Sequence, residues 1–157
     1  VVLVAKNCLP QDREMNERNV YGNAGGWSKC KMRSYLNDKF YELLPDDFQS
    51  IIIPRTITQK IGNTEYSSED KLWLPSQTEM FADYAEEIDV GDKHFPLYST
   101  NKSRTKIRIN GNNTLWYWLR TPYSGSGYGV RLVNPAGGLN ISHAYGSFGV
   151  APACVIG

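Results

Sequence analysis

The chain has 157 residues, 41% of them hydrophobic, a formal net charge of +1 and three cysteines. That length suits one domain with a real core, and the near-zero charge argues against the basic footprint of a nucleic-acid binder. No apolar run reaches the length of a membrane-spanning helix.

The predicted elements begin with a short apolar strand at Val1-Val2-Leu3-Val4-Ala5. With neither an initiator Met nor a signal peptide, this opening reads as a strand entered midway, in a processed chain or a module cut from a longer protein. Residues 6–26 are polar and end in the turn signal Asn23-Ala24-Gly25-Gly26. Ser28 is placed to cap a helix whose apolar residues Met32, Tyr35, Leu36, Phe40, Leu43 and Leu44 recur at three and four, until Pro45 stops it. Residues 46–50 allow one more turn. Residues 51–59 read as a β-branched strand carrying Pro54, and residues 63–70 as a polar loop.

Ser76 and Glu79 have the spacing of a capping box, which predicts a second helix running to about Ala85. Residues 89–97 read as a loop and 103–109 as a strand. On that strand Lys102, Arg104, Lys106 and Arg108 alternate and share one face, a solvated face or a weak reader of anions. Trp116-Tyr117-Trp118-Leu119-Arg120 is an aromatic strand, followed by short strands near 129–133, 138–141 and 150–156 separated by glycines. The order strand, helix, strand, helix, then antiparallel strands predicts one α+β domain over residues 1–157, with two helices packed beside short antiparallel sheets.

The segment 123–149 differs in composition from the rest. It is built of Tyr, Ser, Gly, Asn, His and small apolar residues, with Arg131 as its one Lys, Arg, Asp or Glu. Tyr supplies rigid amphipathic area, and Ser, Gly and Asn supply adaptable hydrogen bonds, as in antibody loops. The segment thus reads either as a ligand-binding surface or as Gly-rich turns between short strands. The candidate ligand residues are Tyr123, Ser126, Tyr128, Leu132, Asn134, Asn140, Ser142, His143, Tyr145 and Phe148, with Val130, Arg131, Val133, Gly138, Leu139 and Val150 as scaffold.

Chemistry finds little support. His143 has no partner for metal binding or base catalysis within the tail, and no Ser-His-Asp set, phosphate loop or metal-ligand spacing is visible, so neither catalytic residues nor cofactors are expected. Cys8, Cys30 and Cys154 read as buried small hydrophobes of a reduced protein, with one disulfide left open. Trp27, Trp73, Trp116 and Trp118 read as core, Arg120 as the internal partner of a carboxylate or carbonyl, and Asp46-Asp47, Glu86-Glu87 and Asp89 as solvated faces.

Four blocks resemble one family. They are Gly26-Trp27-Ser28 with Met32-Arg33-Ser34-Tyr35-Leu36-Asn37 and Phe40-Tyr41; Asp70-Lys71-Leu72-Trp73-Leu74-Pro75-Ser76 with Glu79; Trp116-Tyr117-Trp118-Leu119-Arg120-Thr121-Pro122; and Gly149-Val150-Ala151-Pro152-Ala153. In this order they resemble a bacterial and phage domain of unknown function with a C-type-lectin-like fold near the formylglycine-generating-enzyme type. Ala151 stands where that pattern more often has Arg, which removes one residue a buried arginine network would use.

Some proteins of the wider fold are variable proteins of diversity-generating retroelements, and the resemblance implies the same possibility here. Such systems rewrite Asn codons at template adenines, and Lys, Glu, Gln, Met and Trp lie beyond their reach. The segment 123–149 has none of these five. The expectation is a receptor-recognition module for a protein or glycan on a cell surface, in a phage virion or on a bacterial surface. The alternative is a fixed-sequence structural or interaction domain of a larger bacterial or phage protein.

Overall fold

Trp27, Trp73 and Trp118 have no exposed surface, and the chain is organised around them. The computed structural model describes residues 1–19, 21–82 and 88–157. Among the described residues, eight strands form three small antiparallel sheets. In chain order they are β1 (Val2–Val4), β2 (Ile52–Ile53), β3 (Arg55–Ile61), β4 (Thr64–Asp70), β5 (Tyr117–Pro122), β6 (Gly129–Val133), β7 (Leu139–His143) and β8 (Ala153–Ile156). They pair in the orders β1-β8-β2, β3-β4 and β5-β6-β7. The α+β class is therefore as the sequence predicts.

The helices differ from expectation. Among the described residues there are five, α1 (Gly26–Lys29), α2 (Lys31–Tyr35), α3 (Asp46–Ile51), α4 (Gln77–Met80) and α5 (Asn101–Arg104), all six residues or shorter. The long helix predicted after Ser28 is broken at Cys30, whose backbone is extended and whose Sγ accepts from Arg33 N at 3.4 Å. Ser28 lies inside α1 instead of capping it. Beyond α2 the chain continues as a π-turn (Leu36–Phe40) and a 3-10 turn (Tyr41–Leu43). The irregular winding still presents Met32 and Leu36 to the core, while Leu43 is 76% exposed. The capping box at Ser76 forms as predicted: Ser76 Oγ accepts Glu79 N at 3.1 Å and Glu79 Oε2 accepts Ser76 N at 2.9 Å. The helix it starts ends at Met80, because Phe81 is extended. Residues 83–85 of the predicted extension toward Ala85 and the pair Glu86-Glu87 lie outside the described residues.

Residues 64–70 are a strand, not a polar loop. All seven positions of β4 pair with β3 across the Gly62-Asn63 turn. Only Asp70 of β4 is buried, so the strand lacks the apolar alternation by which strands are recognised. The predicted strand over 103–109 is also absent; α5 covers its start. Lys102 is exposed, but Arg104 and Lys106 are buried, so these cations do not form a solvated face.

β5 separates two cores. All six of its residues are buried. Trp118 packs with Trp27, Trp73, Leu36 and Leu132 on one side, and Tyr117 and Leu119 pack with Met80, Tyr98 and Val133 on the other. The period of two along a strand produces this split. Trp116, one residue before β5, is 39% exposed and rests against Phe148 at 6.3 Å, so it is not core.

The motif blocks meet in space through hydrogen bonds. Asn37 accepts from Lys71 N at 2.8 Å and Leu72 N at 3.1 Å, and donates to Leu72 O at 2.8 Å and Arg33 O at 3.0 Å. Asp70 accepts from Trp27 Nε1 at 3.0 Å, Ser68 Oγ at 2.6 Å and Arg33 Nε at 2.5 Å. Trp73 and Ala153 exchange backbone bonds at 3.0 and 2.7 Å. Gly26 must be glycine here. Its φ is +59°, and a Cβ would lie 2.3 Å from Gln59 Oε1, the atom that accepts from Trp27 N.

All three cysteines are free and buried. Burial pushes the Cys8 thiol up to about 11 and Cys30 up to about 12, which leaves both as inert thiols.

Asn37→Ala should lower the unfolding free energy by about 2–4 kcal/mol, because it strands several backbone groups at once. Leu43→Ala should change it by no more than about 0.5 kcal/mol. Urea denaturation of the two variants checks this, and similar losses would show that Asn37 is not a cross-link.

Candidate functional site

The tail is held rigidly from behind. Asn23 Nδ2 donates to the carbonyls of Ser126 and Gly129, each at 2.7 Å, with Tyr123 O at 3.3 Å. Tyr123 N bonds Gly129 O at 2.8 Å and closes the 123–129 loop. At the other end of the β6–β7 hairpin, Asn134 Oδ1 accepts from Ala136 N at 3.0 Å and Gly138 N at 2.9 Å. Side chains between these staples stand on fixed backbone.

The register β6↔β7 decides which residues share a face. Leu132 lies opposite Asn140 and Val130 opposite Ser142; Arg131 lies opposite Ile141 and Gly129 opposite His143. Val130 and Leu132 are core, and Leu132 has no exposed surface. Leu132 is therefore not available to a ligand, contrary to expectation: a period of two cannot put Val130 inside and Leu132 outside. Asn140 and Ser142 share that inward face and are half-buried at its rim. Arg131, assigned to the scaffold from sequence, instead shares the outer face with Ile141 and His143.

Two further candidates have structural duties. Asn134 holds its own turn, as described above. Phe148 packs edge-to-face on Trp118 at 5.1 Å. Ser126 is half-buried in the loop that Asn23 tethers.

Three of the predicted residues come together at the surface. The rings of Tyr128 and His143 stack at 4.6 Å with 13° between planes, and His143 stacks on Tyr145 at 5.0 Å and 26°. The Arg18 guanidinium covers Tyr145 at 4.7 Å. Tyr128 is 42% exposed, and His143 is also exposed. Beside this column the Arg131 guanidinium lies 4.8 Å over the Tyr123 ring. Such contacts hold aromatic rings in place at the cost of little entropy. Sequence reasoning missed Arg18, Arg131 and Ile141. The parity of Arg131 and Ile141 with His143 was a usable signal, whereas nothing local marked Arg18.

A dense charge cluster lies in the interior. Arg120 has no exposed side-chain surface. Its N–H groups reach Leu74 O at 2.7 Å, Glu79 Oε2 at 2.8 Å and Asp92 Oδ2, and its Nε lies 3.7 Å from Asp89 Oδ1. Arg55 bridges Glu79 and Asp92, each at 2.7 Å. Asp89 also accepts from Thr121 Oγ1 at 2.5 Å and Gln59 Nε2 at 2.8 Å. The internal pairing expected for Arg120 is present, and a buried arginine network exists without an Arg at position 151. Asp89, read as a solvated face, is buried: it neutralises Arg120.

Three carboxylates share two guanidiniums, so they titrate differently. Burial works against the charge of Glu79, yet Arg120 and Arg55 hold its carboxyl below the ordinary range. Burial raises Asp89, and it raises Asp92 to about 6 against the pull of Arg120.

The fold and the outer face of the hairpin define a mixed α+β domain that displays an aromatic column on stapled backbone. The chain belongs to the family described as a domain of unknown function (DUF6273), which matches residues 1–157. It matches no curated protein and no solved structure. Among the described residues, no helix is long and apolar enough to cross a membrane.

The folded-state value of Asp92 lies above its unfolded value, so folding gains stability as pH falls through about 6 and loses that gain as pH rises. Asp92→Asn removes this contribution. The stability difference between wild type and the variant should therefore shift in favour of wild type between about pH 7 and pH 4, read by urea denaturation. A difference independent of pH would contradict the assignment.

Proposed function

We propose that this domain is a recognition module that binds a partner on a cell surface through Tyr128, His143 and Tyr145, with Tyr123, Arg131 and Ile141 alongside. One observation carries the reading: three stacked rings lie at the surface on rigid backbone, outside both cores. Aromatic side chains on a fixed scaffold give contact area without ordering cost and dominate binding hot spots. Both faces of His143 are covered by its neighbours, and Tyr145 lies between His143 and Arg18. The column thus offers ring edges, hydroxyls and imidazole nitrogens. That chemistry suits a protein surface better than a row of sugars, each of which needs an open ring face.

The reading is one of binding without catalysis. It extends to a C-type-lectin-like fold and a tail rewritten by a retroelement, supported by the motif blocks and by the outward residues between Tyr123 and Tyr145, all of which are types that such rewriting reaches. Sequencing the 3′ third of the gene across its native population should find substitutions concentrated at codons for outward residues such as Tyr128, His143 and Tyr145, and spared at Val130 and Leu132. A uniform tail would end the diversification proposal and leave a fixed-specificity binder.

Replacing Tyr128, His143 and Tyr145 together by Ala should change stability by no more than about 1–2 kcal/mol. It should also abolish retention on cells that the wild-type protein labels. Loss of folding would instead place the rings in a structural role, and undiminished labelling would move the site elsewhere.

A further inference from the structure

All sixteen acidic residues lie between Asp12 and Asp92, so the chain from Lys93 to Gly157 has none. It does carry Lys93, Lys102, Arg104, Lys106, Arg108, Arg120 and Arg131. Arg120 is neutralised by upstream acids, and Arg108 pairs with Asp12 at 2.7 Å. Arg104 and Lys106 are buried, and their hydrogen bonds go to neutral oxygens.

Arg104 Nε donates to Gly137 O at 2.9 Å, Nη1 to Tyr98 O at 2.8 Å, and Nη2 to Asn101 Oδ1 at 2.5 Å. Its guanidinium lies 4.1 Å over the Phe81 ring. Lys106 Nζ donates to Ala5 O at 2.6 Å and reaches Tyr98 Oη at 3.4 Å. Among the described residues no carboxylate pairs with either cation. Carbonyl oxygens satisfy the N–H groups but leave the charge uncancelled, and a buried charge is ordinarily met by an opposite one. The cost registers on Lys106, whose ammonium burial pushes down to about 8.

Arg104 forms part of the wall of a cleft of about 430 Å³, with His94, Ser99, Asn101, Gly138 and Leu139 around it. That volume is within the range of small-molecule sites, ~300–1,000 Å³. The cleft presents a side-chain amide as a donor. Asn101 Oδ1 is engaged by Arg104, which leaves its amide hydrogens to give. His94 Nε2 gives its hydrogen to Tyr98 O at 3.1 Å, since a carbonyl can only accept, so that hydrogen does not serve a ligand. The hairpin turn presses against α5: a Cβ on Gly137 would lie 1.8 Å from Asn101 O, and φ there is +85°. Glycine at 137 therefore sets Gly137 O against Arg104 and fixes the cleft's shape.

We propose that this cleft binds a small organic anion, its carboxylate or phosphate oxygens meeting Arg104 and the Asn101 amide and its apolar body lying along Leu139. The site is separate from the aromatic column, at the opposite end of β7, and does not depend on the recognition reading.

The test is calorimetric titration at low salt with inorganic phosphate and, separately, with acetate. Two variants accompany the wild type. Asn101→Asp supplies an internal carboxylate to the guanidinium, and it should keep or raise thermal stability while weakening anion binding by about tenfold or more. Asn101→Ala keeps the charge uncancelled and should bind at least one of the two anions more tightly than Asn101→Asp does. Binding of phosphate alone would identify a phosphate ester as the ligand class, and binding of acetate alone a carboxylate; either supports the site. Absence of binding by both anions at about 10 mM, or equal binding by wild type and Asn101→Asp, would overturn it.

Discussion

Arg120 is a permanent cation in the middle of the domain, and the surrounding elements are arranged to neutralise it. It sits where β5 bulges away from β6: Trp118 lies opposite Leu132 and Pro122 opposite Val130, so three residues of β5 face one of β6. A bulge re-aims side chains, and Arg120 N bonds Pro75 O instead of the neighbouring strand. The Glu79 that answers Arg120 is the same residue that caps α4, and Arg55 on β3 braces both Glu79 and Asp92. One ionic cluster therefore fixes α4, β3, β5 and the Asp89–Asp92 segment relative to one another. Burial alone would lower the arginine's pKa, but Glu79, Asp89 and Asp92 hold it above its ordinary value. Removing one partner of such a cluster is costly because it leaves the others buried without compensation.

A second set of polar side chains performs the same service for irregular backbone. The chain has few long helices or strands to satisfy its own amides, so Asn37, Asp70 and Asn23 do it across distance. Asn37 serves residues 71 and 72, and Asn23 serves the loop that begins a hundred residues later at Tyr123. Each replaces hydrogen bonds that regular secondary structure would otherwise supply. The backbone at residues 71–72 and the 123–129 loop are thereby tied to distant segments.

That tethering links the fold to its surface. The β6–β7 hairpin turns Val130 and Leu132 to one core; on its other face Val133 enters the second core, Arg131 is half-buried, and Ile141 and His143 are exposed. Substitution at Ile141 and His143 leaves Val130 and Leu132 in register, so the proposed binding chemistry and folding are carried by different residues of one ribbon. The charge imbalance along the chain has a parallel consequence. Acids upstream must reach cations downstream, and where they do not, at Arg104 and Lys106, uncancelled positive charge remains beside a cleft.

Local chemistry was legible in the sequence. The capping box at Ser76 and Glu79 depends on residues three apart, the turn at Gly25-Gly26 on backbone freedom, and the burial of Trp27, Trp73 and Trp118 on their apolar neighbours. The singular composition of the tail likewise marked Tyr128, His143 and Tyr145. What the sequence could not supply was decided by partners far along the chain. β4 is a strand because β3 lies beside it, not because of any apolar alternation of its own. Arg104 and Lys106 are buried because Gly137 and Ala5 bring carbonyls to them. Leu132 faces inward because its register with Asn140 requires it, and Arg18 belongs to the aromatic column only because folding brings it over Tyr145. Propensity and spacing act over a few residues, whereas register, burial and the neutralisation of charge are settled only when distant segments meet.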